Sequence, residues 1–431
     1  MIQHKSLPRT VGFLGTALIP VNGMIGAGIF ALPAIMVAAV GNFAPWMMLV
    51  GALLMLPLTS AFALLATRFD RHGGPVLYTH AAFGPFIGFQ TGWSRYASGV
   101  VAVAANTKVA VAYLAVLLPG LASPQAQTLA AVGFIALITG LNLIGMRASV
   151  GTLGLMTVIK LAPLAVLVVV GLVTRDAAIG FSLPEFSAIE SVVLLSFYAY
   201  MAVENGTFAA GELRNPRRDI PLALITTLFA TALFYMLIIW AYIAIAPASQ
   251  GNESALAAAA GELLGDLGVI AVSIAAACSI AANTLGGGIV TPRMTFAMAE
   301  QGTLPPIFAH VSDRFKTPDF SIVFYGGMAM LFSLWGGFAV LAVASTLARL
   351  VMYLLTSMAL PVLEYREQGW AIPWWHIPLA LLAAASSLWV ASQASAEAFR
   401  MFALIVGAGT VLYFVAGRGQ ADAESQVDQN R

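Results

Sequence analysis

The stretch "VNGMIGAGIF", residues 21–30, places three glycines and an asparagine inside the first long apolar segment of the chain. Each glycine costs about 1 kcal/mol relative to alanine in a helix interior, so a continuous helix is weakest here. Lipid cannot hydrogen-bond to unwound backbone, which therefore persists in a membrane only where it is buried in protein or lines a cavity. The stretch predicts a membrane helix that is broken near its middle, at a place that a polar solute can reach.

The composition restricts the chain to one class of protein. Of the 431 residues, 60% are hydrophobic and only 9% are charged, whereas a soluble domain has about 25% charged residues. The net charge of +1 gives no footprint for nucleic acid. The single cysteine, Cys278, excludes an intramolecular disulfide, and the five histidines show no ligand spacing. The sequence therefore predicts an integral membrane protein with no metal and no cofactor.

Apolar segments of about 18 or more residues indicate membrane spans. Twelve such segments lie at about 11–40, 44–67, 85–118, 126–145, 151–174, 187–208, 220–246, 258–290, 318–336, 338–363, 373–393 and 398–417. Only Gly336 and Gly337 separate the ninth segment from the tenth. The first segment is too long for the core of a signal peptide, so we expect it to be retained as a span. The prediction is an all-α membrane protein with about twelve transmembrane helices.

The positive charges predict how the spans are oriented. An even number of spans puts both termini on one side, and cytoplasmic loops are enriched in Lys and Arg. With cytoplasmic termini, the inner set is Lys5, Arg9, Arg68, Arg71, Arg147, Arg214, Arg217, Arg218, Arg293, Arg314, Lys316, Arg366, Arg418 and Arg431, and the outer set is Arg175 and Arg400. This asymmetry predicts a multi-pass protein of the cell membrane with both termini in the cytoplasm.

A second interruption resembles the first. The sixth span contains "VENGTF", residues 203–208, and the polar run Glu204-Asn205-Gly206-Thr207 predicts a break there. Paired interruptions in matching positions of two halves indicate the binding site of a transporter. The amino end of a half-helix attracts an anion, and carbonyl ends attract an ammonium group, so the pair suits an α-amino acid. The alternative is that these glycines serve only close helix packing.

Four stretches carry a resemblance to a known family. They are "GMIGAGIFALP" (23–33), "GGPVLYTHAAFGPFIGFQTGW" (73–93), "YMAVENGTFAAGELRNPRRDIP" (200–221) and "PRMTFAMAEQGTLPPIFAHVSDRFKTPDF" (292–320). Together they resemble the amino acid–polyamine–organocation (APC) superfamily, and the motifs are most similar to its bacterial basic amino acid and polyamine antiporters. The resemblance covers roughly residues 10–370, in order. It implies alternating access on a five-plus-five inverted repeat, with broken helices 1 and 6 and two extra helices.

That resemblance divides the chain as one transmembrane domain over 1–417. The first repeat falls at about 11–174, the second at about 187–363, and the extra helices at about 373–417. The remaining residues, 418–431, are polar and are expected to form a disordered cytoplasmic tail.

The resemblance also implies a set of substrate-binding residues. Backbone amides for a carboxylate fall on Gly26, Ala27 and Gly28. Carbonyls for the α-amino group fall on Ile25, Tyr198 and Met201, and Tyr198 takes the place of the aromatic side chain that closes over the substrate. Positions of the pocket on the third helix fall on Ser98, Gly99, Val103 and Asn106. The aromatic residue of the eighth helix falls near Gly288 and is missing, which argues against a pocket for an arginine side chain.

Ionisable residues within spans are hypotheses of function by default. Lys160 takes the position where sodium-coupled relatives bind a cation, and is predicted to act in proton coupling unless it only snorkels to the surface. Glu204 is predicted to contact substrate or to respond to protons, or else to be a structural carboxylate. Arg349 is expected to pair with Glu204, and contact with a substrate carboxylate is the alternative. For Arg95 a gate ion pair and snorkelling remain equal alternatives, and Lys108 has no assigned role.

The sequence thus predicts a secondary active amino acid transporter rather than an enzyme, sodium-independent and driven by protons or by exchange. A polyamine antiporter, and a sensor on the same fold, are the alternatives. No filter-like repeat favours a channel, and no paired catalytic groups favour an enzyme. The expected partners are a small amino acid or amine and the lipid bilayer of a bacterial inner membrane. The oligomeric state stays open, with a homodimer as one arrangement.

Overall fold

A computed structural model describes residues 12–69, 74–121, 123–145, 150–175, 180–208, 215–245 and 254–429. Within these ranges the regular structure is helical, without β-strands. The α-helices are α1 (Phe13–Met24), α2 (Gly28–Val40), α3 (Ala44–Ala66), α4 (Gly74–Phe83), α5 (Pro85–Leu117), α6 (Pro124–Leu143), α7 (Val150–Thr174), α8 (Phe186–Tyr200), α9 (Asn205–Phe208), α10 (Pro216–Ile245), α11 (Ala255–Glu300), α12 (Asp319–Ser333), α13 (Phe338–Gln368), α14 (His376–Ser392) and α15 (Ala396–Gln429).

These helices account for the twelve predicted spans. Nine described segments are long and apolar enough to cross a membrane, and one of them, 28–66, contains both α2 and α3. Two shorter apolar helices, α12 and α14, supply the ninth and eleventh spans. The split before α13 is present, because Gly336 adopts a φ of +58° between α12 and α13. The predicted all-α membrane fold is confirmed.

The first break lies where the sequence predicts it. α1 ends at Met24, and α2 begins at Gly28. Ile25, with φ −85° and ψ 81°, leaves the helical region. Three residues of extended or bent backbone therefore separate two half-helices of one span.

The second break lies earlier in the chain than predicted. α8 ends at Tyr200, and Met201–Glu204 form the turn, in which Ala202 adopts a left-handed φ of +76°. Asn205, Gly206 and Thr207 are helical instead of unwound, because the Glu204 carbonyl accepts the amide of Thr207 at 2.9 Å and starts α9. A left-handed alanine costs of order 1–3 kcal/mol and persists only where the surroundings fix it. The correction moves the unwound backbone to Met201–Glu204 and keeps Glu204 within it.

Two further elements differ from the sequence prediction. α4 lies between the second and third spans, where the sequence indicates only a connector, and Gly84 with φ +88° separates it from α5. α15 continues as a helix to Gln429, so the tail predicted to be disordered from residue 418 is helical over most of its length. Its Ala, Glu and Gln residues are good helix formers, which explains the continuation.

The packing places both breaks at the centre of the bundle. α5 contacts α11 and α13, and α8 contacts α2, α3 and α13. The buried apolar cluster around them includes Ile29, Phe30, Phe197 and Tyr198. The outward faces carry apolar side chains such as Leu129 and Val173, which are 73% and 79% exposed. This pattern fits a protein whose solvent is lipid.

Candidate substrate site

The last turn of α1 touches the second break. A Cβ added at Gly23 would lie 2.9 Å from both Ala202 Cβ and Asn205 Nδ2. Such a distance is closer than side chains normally approach, so only glycine allows α1 to meet the second break here. Because Gly23 lies two residues before Ile25, where the first break begins, the two breaks are neighbours in the bundle.

The amino end of α2 supplies donors at this site. The first amides of a helix lack intrahelical partners, and the end carries a partial positive charge. A Cβ at Gly28 would lie 2.9 Å from Tyr235 Oη and 3.6 Å from Tyr198 Cδ1, so two aromatic side chains frame this end. The Tyr235 hydroxyl is buried without a hydrogen-bond partner among the described residues. The Gly26 amide already donates to the Met24 carbonyl at 3.1 Å. Anion binding at Gly26, Ala27 and Gly28 stays a prediction, and Tyr235 is an addition that no local pattern indicates.

Hydrogen bonds from polar side chains connect four helices beside the first break. Tyr198 donates its hydroxyl to Asn106 Oδ1 at 2.6 Å. Asn106 Nδ2 donates to Asn283 Oδ1 at 3.2 Å, and Asn283 Nδ2 donates to the carbonyls of Asn22 and Gly23 at 2.8 and 3.1 Å. The network brings the predicted residues Asn106 and Tyr198 together. Asn283 is missing from the prediction, although an amide side chain within the apolar α11 is the signal that indicates it.

Lys160 reaches the first break from α7. Its Nζ donates to the carbonyl of Ile25 at 2.9 Å, and the residue is 2% exposed. Snorkelling to the surface is therefore excluded as its role. Ile25 is one of the three carbonyls that the family resemblance assigns to the substrate's amino group. A second of them, that of Tyr198, accepts the Met201 amide at 3.2 Å.

A cluster of charged side chains holds the second break. Glu204 is fully buried, and its Oε1 lies 3.3 Å from both Arg95 Nε and Arg349 Nη1. Its Oε2 accepts the hydroxyl of Tyr353 at 2.8 Å. Arg349 Nε also donates to Ser98 Oγ at 3.0 Å. We call Arg95, Glu204, Arg349 and Tyr353 the Glu204 cluster.

The cluster decides several sequence-based alternatives. The predicted pairing of Arg349 with Glu204 is confirmed by the distance. Arg95 is 5% exposed and pairs with Glu204 from α5, so the ion pair and not snorkelling describes it. Lys108 is only partly buried on α5, outside the Glu204 cluster. Ser98 belongs to the site through Arg349.

The place of the missing aromatic is filled from another helix. A Cβ at Gly288 on α11 would overlap the amide nitrogen of Asn142, which comes from α6. A small cavity here is lined by Val103, Ile135, Ile138, Thr139, Asn142, Thr284, Gly288, Ile322, Tyr325 and Gly326. Within the described chain, Asn142 Oδ1 and Thr284 Oγ1 are buried without hydrogen-bond partners. The sequence missed Asn142, since nothing in α6 indicates that it faces Gly288.

Comparison with known proteins identifies the family of the chain. The chain matches the sequence model of the amino acid permease family over residues 11–415. It belongs to that family. The permease is 26% identical over 378 residues to the serine/threonine exchanger SteT of Bacillus subtilis. The aligned residues make up 85% of this chain and 86% of the relative. It is 25% identical over 319 residues to the cadaverine/lysine antiporter of Escherichia coli, and the aligned residues make up 72% of this chain and 71% of that relative.

The comparisons and the fold agree on the class of activity. The permease is a multi-pass membrane protein and a secondary transporter for amino acids or related amines. Its family and its relatives are transporters and not enzymes. The two relatives differ in the charge of their named substrates, so similarity alone leaves the substrate's side chain open.

Proposed function

We propose that the permease moves amino acids by sodium-independent alternating access, with the substrate's backbone held between the two breaks. One observation carries the proposal: the last turn of α1 packs against the second break at Gly23, and Lys160 donates to the Ile25 carbonyl at the first break. The α-carboxylate would bind at the amides of Gly26, Ala27 and Gly28. The α-amino group would bind at the carbonyl ends of α1 and α8, around Ile25 and Met201.

Lys160 supports independence from sodium. A fixed ammonium group that already contacts the unwound carbonyl supplies the positive charge that a bound cation would supply. An ammonium group in a site of low dielectric constant is less favourable than in water, so release of its proton during the cycle is physically accessible. Transport would then be driven by protons or by exchange of one amino acid for another.

The rest of the site would close around the substrate. Tyr198 would cover it from α8, held by its hydrogen bond to Asn106 and by an edge-on contact with Phe338 at 5.5 Å between ring centroids. Ser98 and Glu204 would form the opposite side through the Glu204 cluster. The inverted repeats at about 11–174 and 187–363 would supply the halves that rock against each other.

A matched pair of lysine variants tests the proposal. The purified permease is placed in liposomes, and uptake of labelled amino acids is measured in sodium or choline buffer, with and without a pH gradient. We expect equal uptake by the unmodified protein in the two buffers. Lys160→Ala should lose most of its response to the pH gradient, while Lys108→Ala, on the partly buried face of α5, should keep it. Sodium-dependent uptake, or a full pH response in Lys160→Ala, would contradict the proposed coupling.

A further inference from the structure

The charges buried at the two breaks are not balanced. Among the residues that the structure describes, four buried charged side chains lie at the breaks, each at most 5% exposed: Arg95, Lys160, Arg349 and Glu204. With Lys160 protonated, three are cationic and one is anionic, and without its proton two cations still face one anion. Buried charges are normally paired, because desolvation of an unpaired charge is costly. A further cation at this site would therefore add to an existing surplus of positive charge.

Glu204 has little capacity left for a cationic substrate. Its Oε1 is shared by the guanidinium groups of Arg95 and Arg349, and its Oε2 accepts the Tyr353 hydroxyl. A carboxylate oxygen can accept more than one hydrogen bond, so what Glu204 lacks is unshared negative charge. Its single negative charge already faces two guanidinium groups. The one buried acid at the breaks thus serves the two arginines.

The surplus arginine acts on the substrate over a moderate distance. Arg349 is bonded to Ser98, which lies eight residues before Asn106 on α5, a rise of about 12 Å. At an effective dielectric constant of about 20, repulsion between two positive unit charges at this distance lowers the affinity for a cationic substrate roughly tenfold. The carbonyl ends of α1 and α8 offset part of the surplus. They are also the groups that the substrate's own amino group needs.

The described side chains around Gly288 on α11, the eighth span, are uncharged. The cavity beside Gly288 has apolar walls, and its polar groups are neutral side chains such as Asn142, Thr284 and Tyr325. No Asp, Glu, Lys or Arg is among its lining residues. Without an aromatic side chain at Gly288, this helix offers no cation–π contact either. A substrate side chain that extends toward Gly288 would therefore meet neutral groups.

We propose that the permease selects amino acids whose side chains carry no positive charge and excludes lysine, arginine and diamines such as cadaverine. This inference rests on the proposed function, since it assigns the charge of the substrate that the same site binds. The surplus of buried cations disfavours positive side chains, and the neutral groups beside Gly288 offer them no anionic partner. Similarity to a cadaverine/lysine antiporter would then reflect the shared fold and not a shared substrate.

The test compares substrates of different charge on the same protein. Proteoliposomes are loaded with a mixture of unlabelled amino acids and amines, and the exchange of labelled alanine, serine, leucine, lysine and cadaverine is measured. We expect exchange of at least one neutral amino acid, with lysine and cadaverine at least tenfold slower. Lysine or cadaverine exchanging as fast as the best neutral compound would overturn the inference and leave the transport function standing. Folded protein that exchanges none of them would overturn both.

A charge variant and a binding measurement add independent evidence. Arg349→Gln removes the surplus charge and keeps a donor for Ser98, so competition by lysine should strengthen about tenfold relative to the unmodified protein. Unchanged competition in a folded variant would overturn the role of the arginine surplus. Because this variant could fail to fold, the thermal unfolding of the unmodified permease is also measured with each compound. Stabilisation by neutral amino acids and not by lysine is expected, and the reverse would overturn the proposal.

Discussion

At the scale of single residues, the buried acid at the second break depends on its neighbours. Glu204 is 0% exposed and is held by Arg95, Arg349 and Tyr353. The sequence predicts the pairing of Arg349 with Glu204, because charges are rare within membrane spans and must find partners there. It leaves the role of Arg95 open and misses Asn283 and Asn142. A lone amide in an apolar helix has no local pattern, and only the packing of distant helices decides what it faces.

Replacing Glu204 by glutamine should destabilise the protein. The change leaves two buried guanidinium groups without an anion, and removing one partner of a buried ion pair costs about 3–5 kcal/mol. We expect a lower midpoint of thermal unfolding in detergent and at least a tenfold slower exchange of amino acids. The double variant Glu204→Gln/Arg349→Gln should regain part of the stability.

Glu367→Gln is the matched control for this prediction. Glu367 pairs with Arg68 at 2.5 Å but is 52% exposed, and exposed ion pairs contribute about 0–1 kcal/mol. We expect little change in either measurement. A Glu204→Gln protein as stable as the Glu367→Gln protein would show that the Glu204 cluster is not a tightly coupled ion pair.

At the scale of elements, the sequence predicts where helices lie better than where they break. Glycine and asparagine indicate the first break correctly, since Gly23 and Gly28 are required for close approaches. At the second break the same residue types mislead, because the strained residue is Ala202 and "NGT" continues as α9. Alanine is a strong helix former, so its left-handed conformation is imposed by the packing against α1. Tertiary contacts outweigh local preference at this point.

The amino end of α2 should tolerate no side chain. A Cβ at Gly28 would lie 2.9 Å from Tyr235 Oη, so Gly28→Ala should slow exchange at least tenfold by displacing this end of the helix. Tyr235→Phe removes the oxygen that would be too close. The double variant should therefore exchange faster than Gly28→Ala alone. Gly286→Ala is the control, because a Cβ there meets nothing within 4 Å. Equal exchange by all the glycine variants would refute the proposed role of this helix end.

The connector before α12 should respond to pH. His310 Nδ1 lies 2.6 Å from Asp319 Oδ1, and this hydrogen bond raises the pKa of His310 above its ordinary value of 6.5. A pKa raised by folding stabilises the folded state fully below the unfolded pKa, and this stabilisation is lost as pH rises through the folded pKa. The loss of thermal stability in His310→Gln should be larger at pH 5.5 than at pH 8.5. In the Asp319→Asn background, His310→Gln should have the same effect at both pH values; persistence of the pH dependence there would exclude Asp319 as its cause.

At the scale of the whole molecule, composition decides more than any motif. A chain that is 60% hydrophobic and 9% charged cannot cover itself with a polar surface, and side chains such as Leu404, 72% exposed, face outward. The membrane class follows from this alone, and the number of spans follows from the lengths of the apolar segments. The identity of the substrate does not follow, because it depends on a few polar groups that several helices bring together. The sequence predicts side chains such as Asn106 and Glu204 but not Asn283, whose neighbours only the packing decides.

The orientation of the molecule in the membrane is a prediction of its charge distribution. Lys and Arg gather on the connectors that share a side with the termini, which predicts that the α11–α12 connector is cytoplasmic and that the α14–α15 turn is external. Asp313 and Glu397 are exposed at these two places. In a Cys278→Ser background, a membrane-impermeant maleimide should label Glu397→Cys in intact cells. Asp313→Cys should be labelled only after the membrane is opened. The reverse pattern would contradict the predicted orientation and place both termini outside.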